Sequence, residues 1–473
     1  MKLENICIEA NQSVFNEPLL TIDNWSIGGQ SWGIVGRNDS GKALVFELLQ
    51  QNLRFSGCVS GVPSAIATVS FGEQEALVAR ELKNDESDLL DEFDPGTLVI
   101  ELLHETGAPS EQCLALAEQF ALTDLLQQGF RTLSTGETRK LMLARALLSQ
   151  PQVILLEDPF EGLDVQARHD ISELLERLAV QGIQLLLMVD RPSDLPAWLP
   201  SIAVFAGGQL VASGQASEVQ QSSHWLTLNL SEAPNEPPPV SETATTLAAD
   251  EPVFELRRGR VSYGANVVFN GLDWAIQQGE HWRVIGPNGS GKSTLLKLIC
   301  GDHPQCYSND IRQFGIQRGN GESIWDIKRH IGMVSSELQL NYRVRVTVLT
   351  VVLSGYFDSI GVYRHVNQHH KTHALAWLKW FHAEHLAKKL FHQLSYGEQR
   401  LILVIRALVK SPLLLILDEP LQGLDEANAQ LVLTAVNRII ESGSSQLLYV
   451  SHREEPGLHC DCRTLQLPIN VAN

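Results

Sequence analysis

Two short runs in this chain have the composition of a phosphate cradle. Gly36-Arg37-Asn38-Asp39-Ser40-Gly41-Lys42 and Gly286-Pro287-Asn288-Gly289-Ser290-Gly291-Lys292 share the pattern Gly-x-x-x-x-Gly-Lys. Each follows an apolar stretch, Trp32 to Val35 and Trp282 to Ile285. The glycines let backbone N–H groups turn inward on the β- and γ-phosphates. The helix that begins there adds the positive end of its dipole, and the lysine adds a full charge. Downstream, the apolar stretch Leu413 to Leu417 ends in Asp418-Glu419, and Val153 to Leu156 ends in Glu157-Asp158. Two carboxylates at such a strand end suit a nucleotide site: the first orders Mg2+ and the second polarises the attacking water. In the second half the loop continues Lys292-Ser293-Thr294, so Ser293 supplies a hydroxyl for Mg2+.

The spacing of these groups repeats. The two loops lie 250 residues apart. Leu133-Ser134-Thr135-Gly136-Glu137 returns 261 residues later as Leu394-Ser395-Tyr396-Gly397-Glu398, and Gly162-Leu163-Asp164 returns as Gly423-Leu424-Asp425 at the same offset. In both halves the serine stands 23 residues before the first carboxylate. Repeated order and spacing mark a duplicated domain. Between the copies, Ser231 to Pro252 carries five prolines and five acidic residues with no lysine or arginine. It reads as an extended linker, too poor in apolar residues to fold by itself. The expected organisation is therefore 1–230, a linker at 231–252, and 253–473. Near-continuous apolar strands alternating with helical stretches predict an α/β fold with a buried, mostly parallel core sheet in each half.

Composition narrows the function. Of 473 residues, 44% are hydrophobic and 19% charged, which excludes a disordered, collagenous or coiled-coil chain. A net charge of −19 disfavours direct nucleic-acid binding and anionic lipid surfaces. No apolar run approaches the roughly 18 to 20 residues of a membrane-spanning helix. Met1 to Phe15 lacks a basic start and a sustained apolar stretch, so no signal peptide is expected. Seven cysteines, sparse and odd in number, predict free thiols in a reducing compartment, hence a cytoplasmic location.

The loops, the strand-end acids and the paired Leu-Ser-x-Gly-Glu motifs together resemble a tandem ATP-binding-cassette ATPase over nearly the whole chain. The resemblance implies two P-loop NTPase domains, each with an antiparallel β part and a helical subdomain beside its core sheet. It implies ATP and Mg2+ as ligands and two cassettes that meet head to tail. The 22-residue linker reaches roughly 70 Å at about 3.3 Å per residue, so pairing within one chain is permitted. On this pattern one site holds Tyr263 against adenine and uses Gly286, Asn288, Gly289, Ser290, Gly291, Lys292, Ser293 and Thr294 for the phosphates. Asp418 joins Ser293 on the metal, Glu419 is the base and His452 the γ-phosphate switch, with Ser134, Gly136 and Glu137 of the first half closing the site. The other site comprises Gly36, Asn38, Ser40, Gly41, Lys42, Glu157 and Asp158, closed by Ser395, Gly397 and Glu398.

That second set is damaged. Ala43 replaces the Mg2+-binding hydroxyl, the two acids are reversed, and Met188-Val189-Asp190-Arg191 offers no histidine at either plausible register. An aspartate there would repel phosphate. The 250-residue offset places Ser13, near Phe15, where the other half has Tyr263. One hydrolytic and one degenerate site are expected. The family's glutamine after the strand entering the helical subdomain is missing in both halves, and Gln339 and Gln74 lie a few residues on as substitutes. The segments Gly301 to Gln305, Ser323 to Lys328 and Leu353 to Gly361 resemble tandem cassettes associated with molybdate transport. This implies a membrane permease subunit as partner and a place on the cytoplasmic face of the inner membrane. The alternative is a free-standing tandem ATPase acting as a regulatory switch. Ribosome-acting members carry a long basic linker, unlike the short acidic one here. Excision-repair members carry zinc-binding cysteine insertions, which are absent.

Three further features read as ordinary structure. Seven of 15 histidines fall between His365 and His392 and read as a solvated helical face, even with His369 and His373 at i, i+4. Cys460-Asp461-Cys462 reads as ordinary thiols, and Trp377 with Trp380 as core packing.

Overall fold

The structure is a computed structural model. It describes residues 1–9, 18–38, 40–83, 94–228, 234, 236–239, 247–248, 251–263, 266–287, 289–451, 455 and 457–467. The chain divides into two compact units, Met1–Leu230 and, for the most part, Ser231–Asn473.

In the first unit nine strands form one sheet: β1 (Lys2–Ile8), β2 (Leu20–Ser26), β3 (Trp32–Gly36), β4 (Ser56–Ser60), β5 (Ile66–Val69), β6 (Val153–Glu157), β7 (Gln184–Val189), β8 (Ser201–Ala206) and β9 (Gln209–Gln215). Their order is β4-β1-β2-β9-β8-β3-β7-β6-β5. The run from β8 to β5 is parallel throughout. β1 pairs antiparallel with β2 and β4, and β9 turns back antiparallel on β8. A single parallel pair, Thr21 with Gln209, joins the antiparallel part to the core.

The second unit keeps these parts in two sheets. β10 (Phe254–Tyr263), β11 (Asn266–Ile276), β13 (Asp310–Gln313) and β14 (Ile316–Gln317) form an antiparallel sheet in the order β11-β10-β13-β14. β12 (Trp282–Ile285), β15 (Ile331–Val334), β16 (Leu414–Asp418), β17 (Gln446–Val450) and β18 (Arg463–Gln466) form a parallel sheet in the order β15-β16-β17-β12-β18.

The central strands are apolar on both faces because helices cover both sides of a parallel sheet. All six residues of β7 are buried, as are the first four of β6 and of β16. Each fully buried leucine or valine contributes about 1.5–3 kcal/mol relative to exposure. The duplication extends into the core. Trp25 and Trp32 meet edge to face at 5.6 Å, and Trp274 and Trp282 do so at 5.5 Å.

Two expectations are corrected, for the histidines and for two cysteines. Part of the acidic linker is also anchored: Arg438 Nη1 donates to the carbonyls of Pro234 and Glu236, each at 2.7 Å, and Trp380 Nε1 donates to that of Glu236 at 3.1 Å. A carbonyl needs no folded core of its own if a neighbour supplies the donor. The remaining linker residues between 231 and 252 lie outside the described ones, apart from 237–239, 247–248 and 251–252. The histidine run is not wholly solvated. His373 lies between the Tyr356 hydroxyl and the Pro239 carbonyl, 2.5 Å from each, and His370 stacks on Tyr356 at 4.3 Å. Finally, Cys460 and Cys462 form a disulfide, so they are not free thiols. Trp377 and Trp380 are core residues, as read from the sequence.

Candidate functional site

In the second unit the phosphate loop runs from the end of β12 to the helix Lys292–Cys300. Gly286 fits only as glycine: a Cβ there would stand 2.3 Å from the Leu467 carbonyl oxygen and 2.6 Å from Ser290 Oγ. Gly291, which caps the helix, has φ +92, a left-handed conformation that side chains disfavour. Lys292 Nζ donates to the carbonyls of Gly286 and Pro287 at 2.7 and 2.8 Å. The buried Ser290 Oγ has no hydrogen-bond partner. A glycine-lined cradle with an unanswered buried hydroxyl fits a phosphate-bearing ligand. Ser293 sits exposed in the first turn of the helix, with Thr294 beside it, and Asn288 lies outside the described residues.

Asp418 ends β16 and Glu419 follows with φ +49, a strained backbone for a non-glycine residue. That turn is held from two sides. The Glu419 N–H donates to the Val450 carbonyl at 2.9 Å. Arg400 Nη2 donates to the carbonyls of Asp418 and Glu419 at 2.8 and 2.5 Å. Burial pushes the Asp418 carboxyl up to about 6, against the pull of Arg400 and Lys292 and with a push from Glu337. A carboxyl whose charge is this poorly solvated suits a cation. Ser293 and Asp418 thus fit the Mg2+ that the loop implies.

Tyr263, at the end of β10, is 55% exposed, so its ring is open to a stacking partner. Its hydroxyl is 3.0 Å from His303 Nε2. His452 lies outside the described residues, as do Ser13 and Phe15.

The first unit repeats the scaffold and changes its chemistry. A Cβ on Gly36 would lie 2.5 Å from Ser40 Oγ, and that hydroxyl too is buried without a partner. Gly41 has φ +78, and Asn38 sits in the loop turn. Asp158 has φ +42 at the place of Glu419, and its N–H donates to the Met188 carbonyl at 2.9 Å. The helix after the loop, Leu44–Leu49, begins two positions later than its counterpart; Ala43 precedes it and provides no side-chain cap. Lys42 Nζ donates to the Gly36 carbonyl at 2.9 Å and the Val189 carbonyl at 3.1 Å, and it meets Asp190 Oδ1 at 2.5 Å. Burial pulls the Lys42 ammonium down, but Asp190 and Asp158 more than offset this and hold it above its ordinary value. Burial, then Asp190, pushes the Asp158 carboxyl well up, and burial with Asp190 raises Glu157.

The sheet register fixes which residue of the first unit corresponds in sequence to His452. Glu157 pairs with Met188 across β6 and β7, and Asp418 pairs with Val450 across β16 and β17. Trp32 pairs with Leu186, and Trp282 with Leu448. The offset between these strands is therefore 262, not 261. Counting on two residues, Asp190 occupies the sequence place of His452.

In each unit the Leu-Ser-x-Gly-Glu motif builds a helix start. Ser134 Oγ accepts from the Glu137 N–H at 3.3 Å, while Glu137 accepts from the Ser134 N–H at 2.7 Å. Ser395 and Glu398 form the same reciprocal pair at 3.2 and 2.8 Å. Gly136 and Gly397 are buried within those helices. Gln339, read as a substitute for the family's glutamine, has both ends of its amide engaged. It is buried, donates to the Tyr396 carbonyl at 3.0 Å and receives Arg400 Nη1 at 3.4 Å. Gln74 lies on the helix Phe71–Lys83, where its Oε1 is buried without a partner.

One of these residues, Arg400, was not legible as a site residue in the sequence, and the contact that Asp190 makes was not either. Arg400 steadies the acidic turn and has a counterpart in Arg139 at the same 261-residue offset, a recurrence that would have found it. The role of Asp190 needed the register. Among the described residues no group of three or more histidines, cysteines or carboxylates forms a metal cluster, and no helix is long and apolar enough to cross a membrane.

Comparisons with known proteins bear on family and fold. The ABC transporter family matches residues 24–161 and 269–422. The ABC transporter ATP-binding protein ModF of Escherichia coli is 43% identical over 459 residues, covering 95% of this chain and 92% of that protein. An uncharacterized ABC transporter ATP-binding protein of Schizosaccharomyces pombe is 29% identical over 350 residues, covering 73% and 70%. The solved structure of an RNase-L inhibitor aligns with a TM-score of 0.57 at 20% identity over 96% of this chain and 88% of that one, a likeness of fold.

Proposed function

This chain belongs to the ABC transporter family, and from that premise we propose that its second cassette hydrolyses ATP while its first does not. It is an ATPase with tandem ATP-binding cassettes. The observation that supports an uneven pair is one scaffold with two chemistries. The strained turns at Asp158 and Glu419 match, yet Ala43 stands at the place of Ser293 and Asp190 at that of His452, against Lys42.

In this reading Lys292 and the loop N–H groups hold the phosphates and Tyr263 holds the base. Glu419 accepts a proton from the attacking water, oriented by a turn that Arg400 braces. Ser293 and Asp418 would hold Mg2+, which when bound would supply charge neutralisation for the phosphates. His452, outside the described residues, is assigned to the γ-phosphate on motif order alone. Steady-state turnover of the full chain should fall by about 10²-fold or more in Glu419→Gln, in line with loss of a general base. Unchanged turnover would reject the assignment.

The partner we propose is a membrane permease on the cytoplasmic side, with molybdate as the cargo that the sequence resemblance implies. Support comes from a 43% identical relative named as an ABC transporter ATP-binding protein. The test is capture of Glu419→Gln with bound ATP from detergent-solubilised cells. Co-purification of a permease subunit supports it. Its absence leaves a free-standing ATP switch.

A further inference from the structure

We infer that Asp190 is a built-in counterion that closes the phosphate loop of the first cassette against ATP. The inference rests on the reading that the second cassette is the working one, and it assigns a cause to the silence of the first. A lysine ammonium has three N–H donors and no acceptor. In the first loop all three directions are answered by the protein: the Gly36 carbonyl at 2.9 Å, the Val189 carbonyl at 3.1 Å and Asp190 Oδ1 at 2.5 Å. The side chains of Lys42 and Asp190 are 7% and 19% exposed, so water screens the pair weakly. A phosphate oxygen arriving at Lys42 must displace a carboxylate tethered to the chain. The displaced carboxylate would then face a polyanion a few ångströms away.

Asp190 is held in place for this task. Its own N–H donates to Asp158 Oδ1 at 3.0 Å, at the end of a strand paired in register with both β6 and β3. The carboxylate therefore approaches Lys42 from the first residue after β7, where its own N–H is tied to Asp158. Its place is that of His452 in the second half, a residue type able to donate to a phosphate. One substitution at one register position thus exchanges a phosphate partner for a phosphate competitor. Missing Mg2+ ligation at Ala43 weakens metal-bound nucleotide, whereas the Asp190 contact opposes any phosphate, with or without metal.

The test uses the full chain carrying Lys292→Ala, so that residual binding reports the first cassette. Equilibrium dialysis with radiolabelled ATP, with Mg2+ and with chelator, should show no saturable binding in the millimolar range or below. Adding Asp190→Asn or Asp190→Ala should produce saturable binding, a gain of about tenfold or more in both conditions. Saturable binding before Asp190 is changed, or no gain after it, overturns the inference. Circular dichroism checks that each variant is folded. If neither Asp190 variant folds, ATP stoichiometry of Glu419→Gln decides: one nucleotide per chain supports closure and two overturns it. Turnover by Glu419→Gln reports the second cassette separately, so failure of either reading is visible alone.

Discussion

At the scale of single residues, the two halves differ in a few side chains set on one backbone plan. Gly286 and Gly36 each leave no room for a Cβ beside a buried serine hydroxyl. Gly286→Ala should therefore distort the loop and abolish ATP binding by the second cassette, checked by equilibrium dialysis in the Asp190-intact chain. Retained affinity would show that the loop tolerates the Leu467 carbonyl at a new distance. The residues needed for phosphate chemistry were legible because their types are scarce and their spacing repeats. Arg400 was not, since an arginine five residues into a helix reads as a solvated side chain until its guanidinium is found on the Asp418 and Glu419 carbonyls. Asp190 was read as a repulsive charge; its attraction to Lys42 is a matter of geometry that composition does not carry.

At the scale of elements, one extra residue explains why the switch position was ambiguous. The helices Val165–Val180 and Glu426–Glu441 have 16 residues each. Residues 181–183 connect the first to β7, whereas residues 442–445 connect the second to β17. An alignment anchored on motifs before the helix is therefore one residue out of register after it. The strands themselves were legible as continuous apolar runs, but no periodicity could reveal a turn lengthened by one. His330, next to β15, offers a second test at this scale. Burial, then Arg329 and Lys410, lowers its imidazole to about 4, and Nε2 accepts from Arg329 Nε at 3.2 Å, a role closed to imidazolium. The folded state thus binds fewer protons than the unfolded one between about 4 and 6.5, and stability falls as pH drops through that window. The loss from this group is up to about 3 kcal/mol. His330→Gln should flatten that limb in urea midpoints measured from pH 7 to 4. Parallel curves for both proteins would contradict the assignment.

At the scale of the whole molecule, duplication was the most legible feature, and the joint between copies the least. A linker rich in proline and acid looks unattached in composition. Its carbonyls are nevertheless taken up by Arg438 and Trp380, side chains more than 140 residues away. Arg438→Ala should release that segment and raise the rate of limited proteolysis between the units by several-fold, with turnover measured alongside; an unchanged cleavage rate would show that Trp380 and His373 suffice. The division of the nine-stranded sheet of one unit into two sheets in the other was also not readable, because it depends on the single Thr21–Gln209 bridge. The central claim is an unequal pair of cassettes in one chain. It is tested most directly by the ratio of ATP turnover in two full-length variants, Glu419→Gln and Asp158→Asn, measured at saturating Mg2+ and ATP. The account predicts a loss of about 10²-fold or more in the first and a far smaller loss in the second. Equal losses would mean that both cassettes hydrolyse, and would contradict it.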